Sequence, residues 1–198
     1  TLGGGLILVS ADAAFGSASA GTSLAAGASL VLTGGVSYTT AEPLLVNGNG
    51  YETTLDATTL VRLRGVIQSV SGNSLFSGPI SLGAGATRIG TQNGASLTLT
   101  GTITPAAGVT DSGIYFRAGN NDGDFVNLSG TGNQWATNSV IYTNCESGAA
   151  GVRLGAHNAL STAASVLAGG TFASIGTTLD LNGFNQTLPG LAPSEGYL

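Results

Sequence analysis

The sequence predicts an all-β fold of the solenoid class, and three observations lead to that prediction. The first is a five-residue cassette of apolar, variable, apolar, polar and glycine positions, which recurs at residues 30–34, 97–101, 126–130 and 179–183. The second is a period of two in apolar and polar residues, which is typical of half-buried strands. The third is a regular spacing, because Leu97, Val126, Val152 and Leu179 follow one another at intervals of 29, 26 and 27 positions. That interval is close to one coil of a β-helix with loops.

The composition supports one domain that spans residues 1–198. Hydrophobic residues make up 42% of the 198 residues, which is enough for one substantial core. Ten acidic residues and five arginines give a net charge of -5, which disfavours nucleic acids and anionic membranes as partners. No apolar run has the length of a membrane helix, so the chain is not predicted to span a membrane. The single cysteine, Cys145, cannot form a disulfide within the chain.

The alternation and the turn residues predict short strands rather than helices. The strands are expected at residues 29–33, 59–64, 80–82, 96–104, 125–129, 151–154 and 178–182. Glycine- and asparagine-rich corners separate them, at residues 47–50, 72–74, 119–123 and 182–183. The best helix candidate, residues 158–167, fits an irregular corner equally well. We expect residues 1–28 to form a strand and a loop that extend the solenoid, and seven to nine coils in all.

Several stretches resemble a known family of bacterial proteins. Residues 152–160, 178–188 and 190–191 are similar to the autotransporter-associated β-strand repeat, chiefly through the string Leu-Asp-Leu-Asn-Gly-Phe-Asn-Gln-Thr at residues 179–187. Residues 70–82 and 91–103 resemble another stretch common in the same proteins. The resemblance implies a right-handed parallel β-helix in an exported bacterial protein, located outside the cell or on its surface. It implies a scaffold or spacer rather than a reaction.

The residues that could carry chemistry do not form a recognisable catalytic motif. His157 is the single histidine and is expected at the surface or at a corner, and Cys145 has no visible catalytic partner. Asp122 and Asp124 are weak calcium candidates, and a solvated turn is the preferred interpretation. We therefore expect no enzyme and no cofactor. A polysaccharide-degrading enzyme is the less favoured alternative, because the carboxylates at Asp56, Asp111 and Asp180 are scattered.

Aromatic residues leave room for a glycan-binding role. They could form a face on which sugars stack, although core or corner packing is the simpler interpretation of Tyr38, Tyr51, Phe76, Tyr115, Phe116, Trp135 and Tyr142. An adhesin with such a face would bind surface glycans.

Both ends of the predicted solenoid look uncapped. Residues 2–9 are flexible and then strongly apolar with high β propensity, a sequence that is unsafe to leave unpaired. The leading hypothesis is a structural extracellular protein that assembles with copies of itself into a filament or a surface layer. The predicted contact residues are Leu6, Ile7, Leu8, Val9, Leu188 and Leu191. The alternative is a monomeric passenger or adhesin module.

Overall fold

The chain folds into a parallel β-solenoid, as the sequence predicted, and its largest sheet stacks eight strands. The computed structural model describes residues 1–51, 65–137, 139–143, 149–170 and 176–193. In these ranges the regular structure is strand throughout, without a helix. The strands are β1 Gly5–Val9, β2 Thr22–Leu24, β3 Ala28–Leu32, β4 Ser37–Tyr38, β5 Leu44–Val46, β6 Ile67–Ser69, β7 Gly72–Phe76, β8 Ile80–Leu82, β9 Ala86–Thr91, β10 Ala95–Leu99, β11 Ile103–Pro105, β12 Gly113–Arg117, β13 Phe125–Leu128, β14 Ser139–Thr143, β15 Gly151–Leu154, β16 Val166–Gly170, β17 Thr178–Asp180 and β18 Leu191–Pro193.

The strands form three parallel sheets that run along the sides of the solenoid. Sheet 1 has the order β1-β3-β6-β9-β12-β14-β16-β18, sheet 2 has the order β4-β7-β10-β13-β15-β17, and sheet 3 has the order β2-β5-β8-β11. From β2 to β13 the chain passes from sheet 3 to sheet 1, then to sheet 2 and back to sheet 3, and from β14 onward its strands alternate between sheets 1 and 2. With strands about 4.8 Å apart, sheet 1 gives the column a length of roughly 34 Å.

The strand register confirms the repeat interval read from the sequence. Leu97 is level with Val126, Val126 with Val152, and Val152 with Leu179 on sheet 2. Sheet 1 stacks eight strands, so seven coil-to-coil steps separate β1 from β18, and one of these coils is longer than the rest. Leu30 is level with residue 67, an interval of 37 positions. The predicted strand at residues 59–64 falls within this long coil and lies outside the described residues.

The four cassettes do not stack as one column. Those at residues 97–101, 126–130 and 179–183 follow one another on sheet 2, whereas residues 30–34 begin on β3 of sheet 1. The sequence pattern is the same because both sheets need inward apolar residues followed by a corner. The pattern therefore identified the strand type correctly but not the sheet.

The predicted strand at residues 96–104 is two strands. Leu97, Leu99 and Ile103 are buried as the alternation required, but β10 ends at Leu99 and β11 begins at Ile103 on a different sheet. A corner at Gly101 joins them. Because the corner preserves the inward and outward alternation, the sequence gives no sign that the chain has turned.

Glycine is required at this corner by close stacking of the main chain. Gly78, Gly101 and Gly130 lie above one another in successive coils, and none has a positive φ. A Cβ on Gly101 would collide with the carbonyl oxygen of Gly78, and one on Gly130 would collide with that of Gly101. The corner at residues 182–183 is different, because Asn182 and Gly183 both adopt a positive φ, of 48° and 81°.

Side-chain amides replace strand pairing where sheet 3 ends. The buried Asn133 accepts a hydrogen bond from the Ile103 N–H at 2.7 Å and donates to the carbonyl oxygens of Gly130 at 3.1 Å and Ala159 at 2.7 Å. In the next coil, Gln186 bonds to the Leu160 N–H and C=O at 2.9 and 3.2 Å. These amides bridge coils where the main chain is irregular. The helix candidate at residues 158–167 is an irregular corner that leads into β16 at Val166.

We expect Gly101→Ala to destabilise the protein by about 1–3 kcal/mol, because the added methyl group forces the stacked corners apart. The matched control is Gly3→Ala, since a Cβ at Gly3 would have no atom within 4 Å. Urea unfolding measures both free energies of unfolding. Equal stability of the two variants would contradict the steric role of the corner.

We expect Asn133→Ala to lower the free energy of unfolding by about 2–4 kcal/mol, since it leaves buried main-chain groups on two other coils unpaired. Gln134→Ala removes a neighbouring exposed amide and should change stability by less than about 0.5 kcal/mol. Thermal and urea unfolding of the two variants provide the comparison. An equal loss of unfolding free energy in both variants would show that the hydrogen bonds of Asn133 stabilise the fold no more than an exposed amide does.

Candidate functional site

The N-terminal end of sheet 1 consists of the apolar strand β1. Its residues are level with those of β3, so that Ile7 and Val9 lie over Leu30 and Leu32 and point into the core. Val9 is 1% exposed, and Ile7 is partly buried. Leu6 and Leu8 alternate to the outer side, and Leu8 is 65% exposed. Of the predicted contact residues in β1, Ile7 and Val9 thus pack on the core, whereas Leu6 and Leu8 point outward.

The outer edge of β1 carries main-chain groups that point away from the solenoid. The Gly5 N–H donates to the Gly27 carbonyl oxygen, and the Val9 carbonyl oxygen accepts from the Thr33 N–H, both at 3.0 Å. Because these directions alternate along a strand, the N–H and C=O groups of Leu6 and Leu8 face the open edge. A parallel strand could pair with β1 there.

Sheet 3 is closed at this end by Leu2. The Leu2 N–H donates to the Ser23 carbonyl oxygen at 2.8 Å, and the Leu2 carbonyl oxygen accepts from the Ala25 N–H at 3.0 Å. These bonds form a single parallel bridge between Leu2 and Leu24. The end strand β2 therefore has a partial neighbour.

Sheet 2 is closed at the same end by a loop that carries Asp12 and Phe15. The Asp12 carboxylate accepts hydrogen bonds from the Thr39 N–H at 2.9 Å, from the Thr40 N–H at 3.0 Å and from the Thr39 hydroxyl. The Thr39 hydroxyl and these amides hold the pKa of Asp12 well below its usual range. Phe15 packs on Tyr38 with ring centroids 5.7 Å apart, and Tyr38 stacks on Phe76 at 5.4 Å.

Residues 1–16 therefore partly cover two of the three sheets at the N-terminal end, which the expectation of an uncapped terminus did not include. The sequence near Asp12 gave no sign of this contact, because its partners Thr39 and Thr40 are 27 and 28 positions away. Burial raises the pKa of Tyr38, whose hydroxyl accepts the Phe15 N–H at 3.2 Å. Residues 1–16 thus contribute to all three sides of the first coil, and β1 presents a strand edge of five residues.

The C-terminal end of sheet 1 is β18, which pairs with β16. Leu191 is level with the buried Val166 and therefore continues an inward-facing row, yet it is 64% exposed. The Val166 N–H donates to the Gly190 carbonyl oxygen at 2.9 Å, so the main-chain groups of Leu191 face the open edge. Leu188 is partly buried against the core, as are Leu179 and Phe184.

The acidic turn is held by hydrogen bonds within the protein. Asp124 is 3% exposed, and its carboxylate accepts from the Gly94 N–H at 2.9 Å and the Asn121 N–H at 2.8 Å. Asp122 is exposed. In the described part of the chain, no group of three or more histidine, cysteine, aspartate or glutamate residues could hold a metal ion. Through these two amides Asp124 caps the turn.

The remaining candidates are dispersed over the solenoid. His157 is exposed at a corner, as predicted, and its Nδ1 accepts the Asn185 N–H at 3.0 Å. Asp180 pairs with Arg153 at 2.7 Å, and this hydrogen bond lowers the pKa of Asp180. Asp111 is exposed elsewhere. Cys145 and Asp56 lie outside the described residues.

Core packing accounts for four of the seven aromatic residues that were considered for a glycan-binding face. Tyr38, Phe76, Phe116 and Trp135 are at most 1% exposed. The Trp135 ring contacts Phe116 edge-on, and its indole N–H donates to the Ser139 hydroxyl at 2.9 Å. These four rings are unavailable for stacking against a sugar, so the simpler interpretation is confirmed for them.

The comparisons with known proteins assign this chain to no family. A scan against protein-family models found no match, and searches of curated proteins and of solved structures found no similar protein. Among the described residues there is also no helix with the length and hydrophobicity needed to cross a bilayer. The structure thus defines a class, the parallel β-solenoids, and a candidate site at the two edges of sheet 1.

We expect the stabilising effect of Asp12 to depend on pH. Its folded-state pKa lies below the unfolded value of about 3.9, so the carboxylate stabilises the fold above about pH 4 and loses this effect as the pH falls further. The difference in free energy of unfolding between the native protein and Asp12→Asn should therefore be larger at pH 7 than at pH 2.5. Urea unfolding at both pH values tests this.

The control for this experiment is Asp111→Asn, which removes the same charge from an exposed position. A difference between native protein and Asp12→Asn that stays constant from pH 7 to pH 2.5 would show that the carboxylate does not anchor the loop.

Proposed function

We propose that this protein is a structural, extracellular β-solenoid that joins with copies of itself end to end, as a subunit of a filament or a surface layer. One observation carries the proposal: β1 and β18 are the two outermost strands of the same sheet, and each exposes a large leucine. Leu8 is 65% exposed and Leu191 is 64% exposed. In this proposal the activity is assembly, and it needs neither a cofactor nor a catalytic residue.

The chemistry of the two edges supports this assembly. Natural proteins protect exposed edge strands with charges, bulges or covering loops. β1 has the sequence Gly-Leu-Ile-Leu-Val, and β18 has the sequence Leu-Ala-Pro, so neither strand carries a charge. Pro193 weakens the β18 edge as a hydrogen-bond donor but leaves its carbonyl groups available. Joining the two edges would satisfy main-chain groups and remove apolar surface from water together.

The geometry favours an open chain of subunits over a closed pair. The two edges lie at opposite ends of a column and belong to a parallel sheet, so β18 of one copy meets β1 of the next in the same strand direction. Such a contact uses two different surfaces and repeats without closing when the subunits continue in line. A two-fold dimer would instead bring two copies of one edge together in an antiparallel arrangement.

The proposed location outside a bacterial cell rests on the resemblance to autotransporter-associated repeats. Low charge and the absence of lysine from the sequence suit a durable exposed protein. The alternative is a monomeric passenger or adhesin module. The burial of four of its aromatic residues gives that alternative little surface for glycan stacking.

We expect the protein to associate as its concentration rises and Leu8→Lys to weaken that association by about tenfold or more, because a lysine on an edge strand disfavours pairing with a further strand. Leu45→Lys is the matched control, since Leu45 is 43% exposed on sheet 3, away from both edges. Light scattering coupled to size-exclusion chromatography gives the masses, and electron microscopy shows the shape of the assemblies.

A native protein that stays monomeric across the whole concentration range would overturn the proposal in favour of the monomeric module. Equal weakening by Leu8→Lys and Leu45→Lys would also count against it, because the association would then not depend on the edge of sheet 1.

A further inference from the structure

We infer that the junction between two copies is made by sheet 1 alone, with Leu191 of one copy level with Gly5 of the next and Ala192 level with Leu6. This inference rests on the proposed self-assembly and specifies its partner as the β1 strand of a second copy. The first step is the state of the three sheets at the N-terminal end. Leu2 already bridges to sheet 3, and the Asp12 loop already bonds to the chain after β4 of sheet 2. Among the described residues, sheet 1 thus ends here in its longest uncovered strand, the five-residue β1, to which a strand of a second copy could pair.

The register follows from the straight stacking of rows across sheet 1. One row can be traced through all eight strands by level pairs, and its members are Ile7, Leu30, Ile67, Ile89, Phe116, Ile141, Ala168 and Pro193. Pro193 at one end and Ile7 at the other thus belong to the same row. If the next copy continues the sheet without a shift, its Ile7 lies level with Pro193, and its Gly5 lies level with Leu191.

The shape of the N-terminal end fits this register. Residues 3–5 are all glycine, and a Cβ built on Gly3 or Gly5 would meet no atom within 4 Å. The end therefore presents a strip of main chain without side chains, next to open space. Leu191, which is 64% exposed, would lie against Gly5 in this register. A shift of two residues would place Leu191 over the larger Ile7 side chain.

The main-chain groups also match in this register. In sheet 1 the Val166 N–H donates to the carbonyl oxygen of the residue before its level partner, Leu191. The same pattern lets the Leu191 N–H donate to the Gly4 carbonyl oxygen of the next copy, and the Leu6 N–H of that copy donate to the Leu191 carbonyl oxygen. The Leu8 N–H would then donate to the carbonyl oxygen of Pro193. The main-chain groups of Leu6, Leu8 and Leu191 that this pattern uses all face an open edge.

Disulfide trapping tests the register. Level residues on neighbouring parallel strands are about 4.8 Å apart, within the Cα separation that a disulfide accepts. The full chain with Leu6→Cys and Ala192→Cys, on a Cys145→Ser background, should form a ladder of covalent multimers under mild oxidation. The control pairs Leu8→Cys with Ala192→Cys, where the separation is about 8 Å and too long for a disulfide. We expect at least tenfold more cross-linked product from the first pair.

The possible results separate the register from the self-assembly itself. A ladder that forms from Leu8→Cys with Ala192→Cys, or from neither pair while the native protein still associates by light scattering, would overturn the inferred register and leave the proposed function intact. If the native protein does not associate at all, both the inferred register and the proposed self-assembly are wrong. Intramolecular cross-links cannot imitate the result, because the two positions lie at opposite ends of a column roughly 34 Å long.

Discussion

Parallel strands stacked about 4.8 Å apart are the constraint on which this structure depends. Each coil must return to the same three sides at that spacing, so extra residues can enter only between the stacked segments. The coil that joins Leu30 to its level partner Ile67 absorbs 37 positions without disturbing the rows on either side. The same spacing leaves no volume for a side chain where corners lie directly over one another, as at Gly78, Gly101 and Gly130.

Several polar side chains of the solenoid form hydrogen bonds between the stacked coils. Asn133 bridges three segments of main chain where sheet 3 stops, and Gln186 continues the bridging one coil further on. Asp124 fixes a turn through two amides, and Arg153 joins Asp180 in the next coil while lying 4.1 Å over the Phe125 ring. These side chains therefore hold adjacent coils together.

Stacking also explains why the ends matter. An internal coil has neighbours on both sides, whereas a terminal coil exposes strand edges and part of the core. The N-terminal ends of the three sheets differ. Leu2 and the loop at Asp12 lie against sheets 3 and 2, whereas sheet 1 ends in the apolar strand β1. In the proposed assembly, joining through sheet 1 alone makes the junction narrower than the solenoid.

The sequence alone determined the strand type, the inward rows and the repeat interval, because the alternation and the spacing of Leu97, Val126, Val152 and Leu179 report directly on burial in a stacked coil. It also indicated the leucines at the two ends. Only the tertiary structure decided that residues 96–104 turn a corner and that residues 30–34 lie on another sheet. It also decided that the Asp12 carboxylate accepts a hydrogen bond from Thr39, next to β4 of sheet 2. The physical reason is that a corner preserves the period of two, and that contacts between coils join residues more than twenty positions apart without leaving a local pattern.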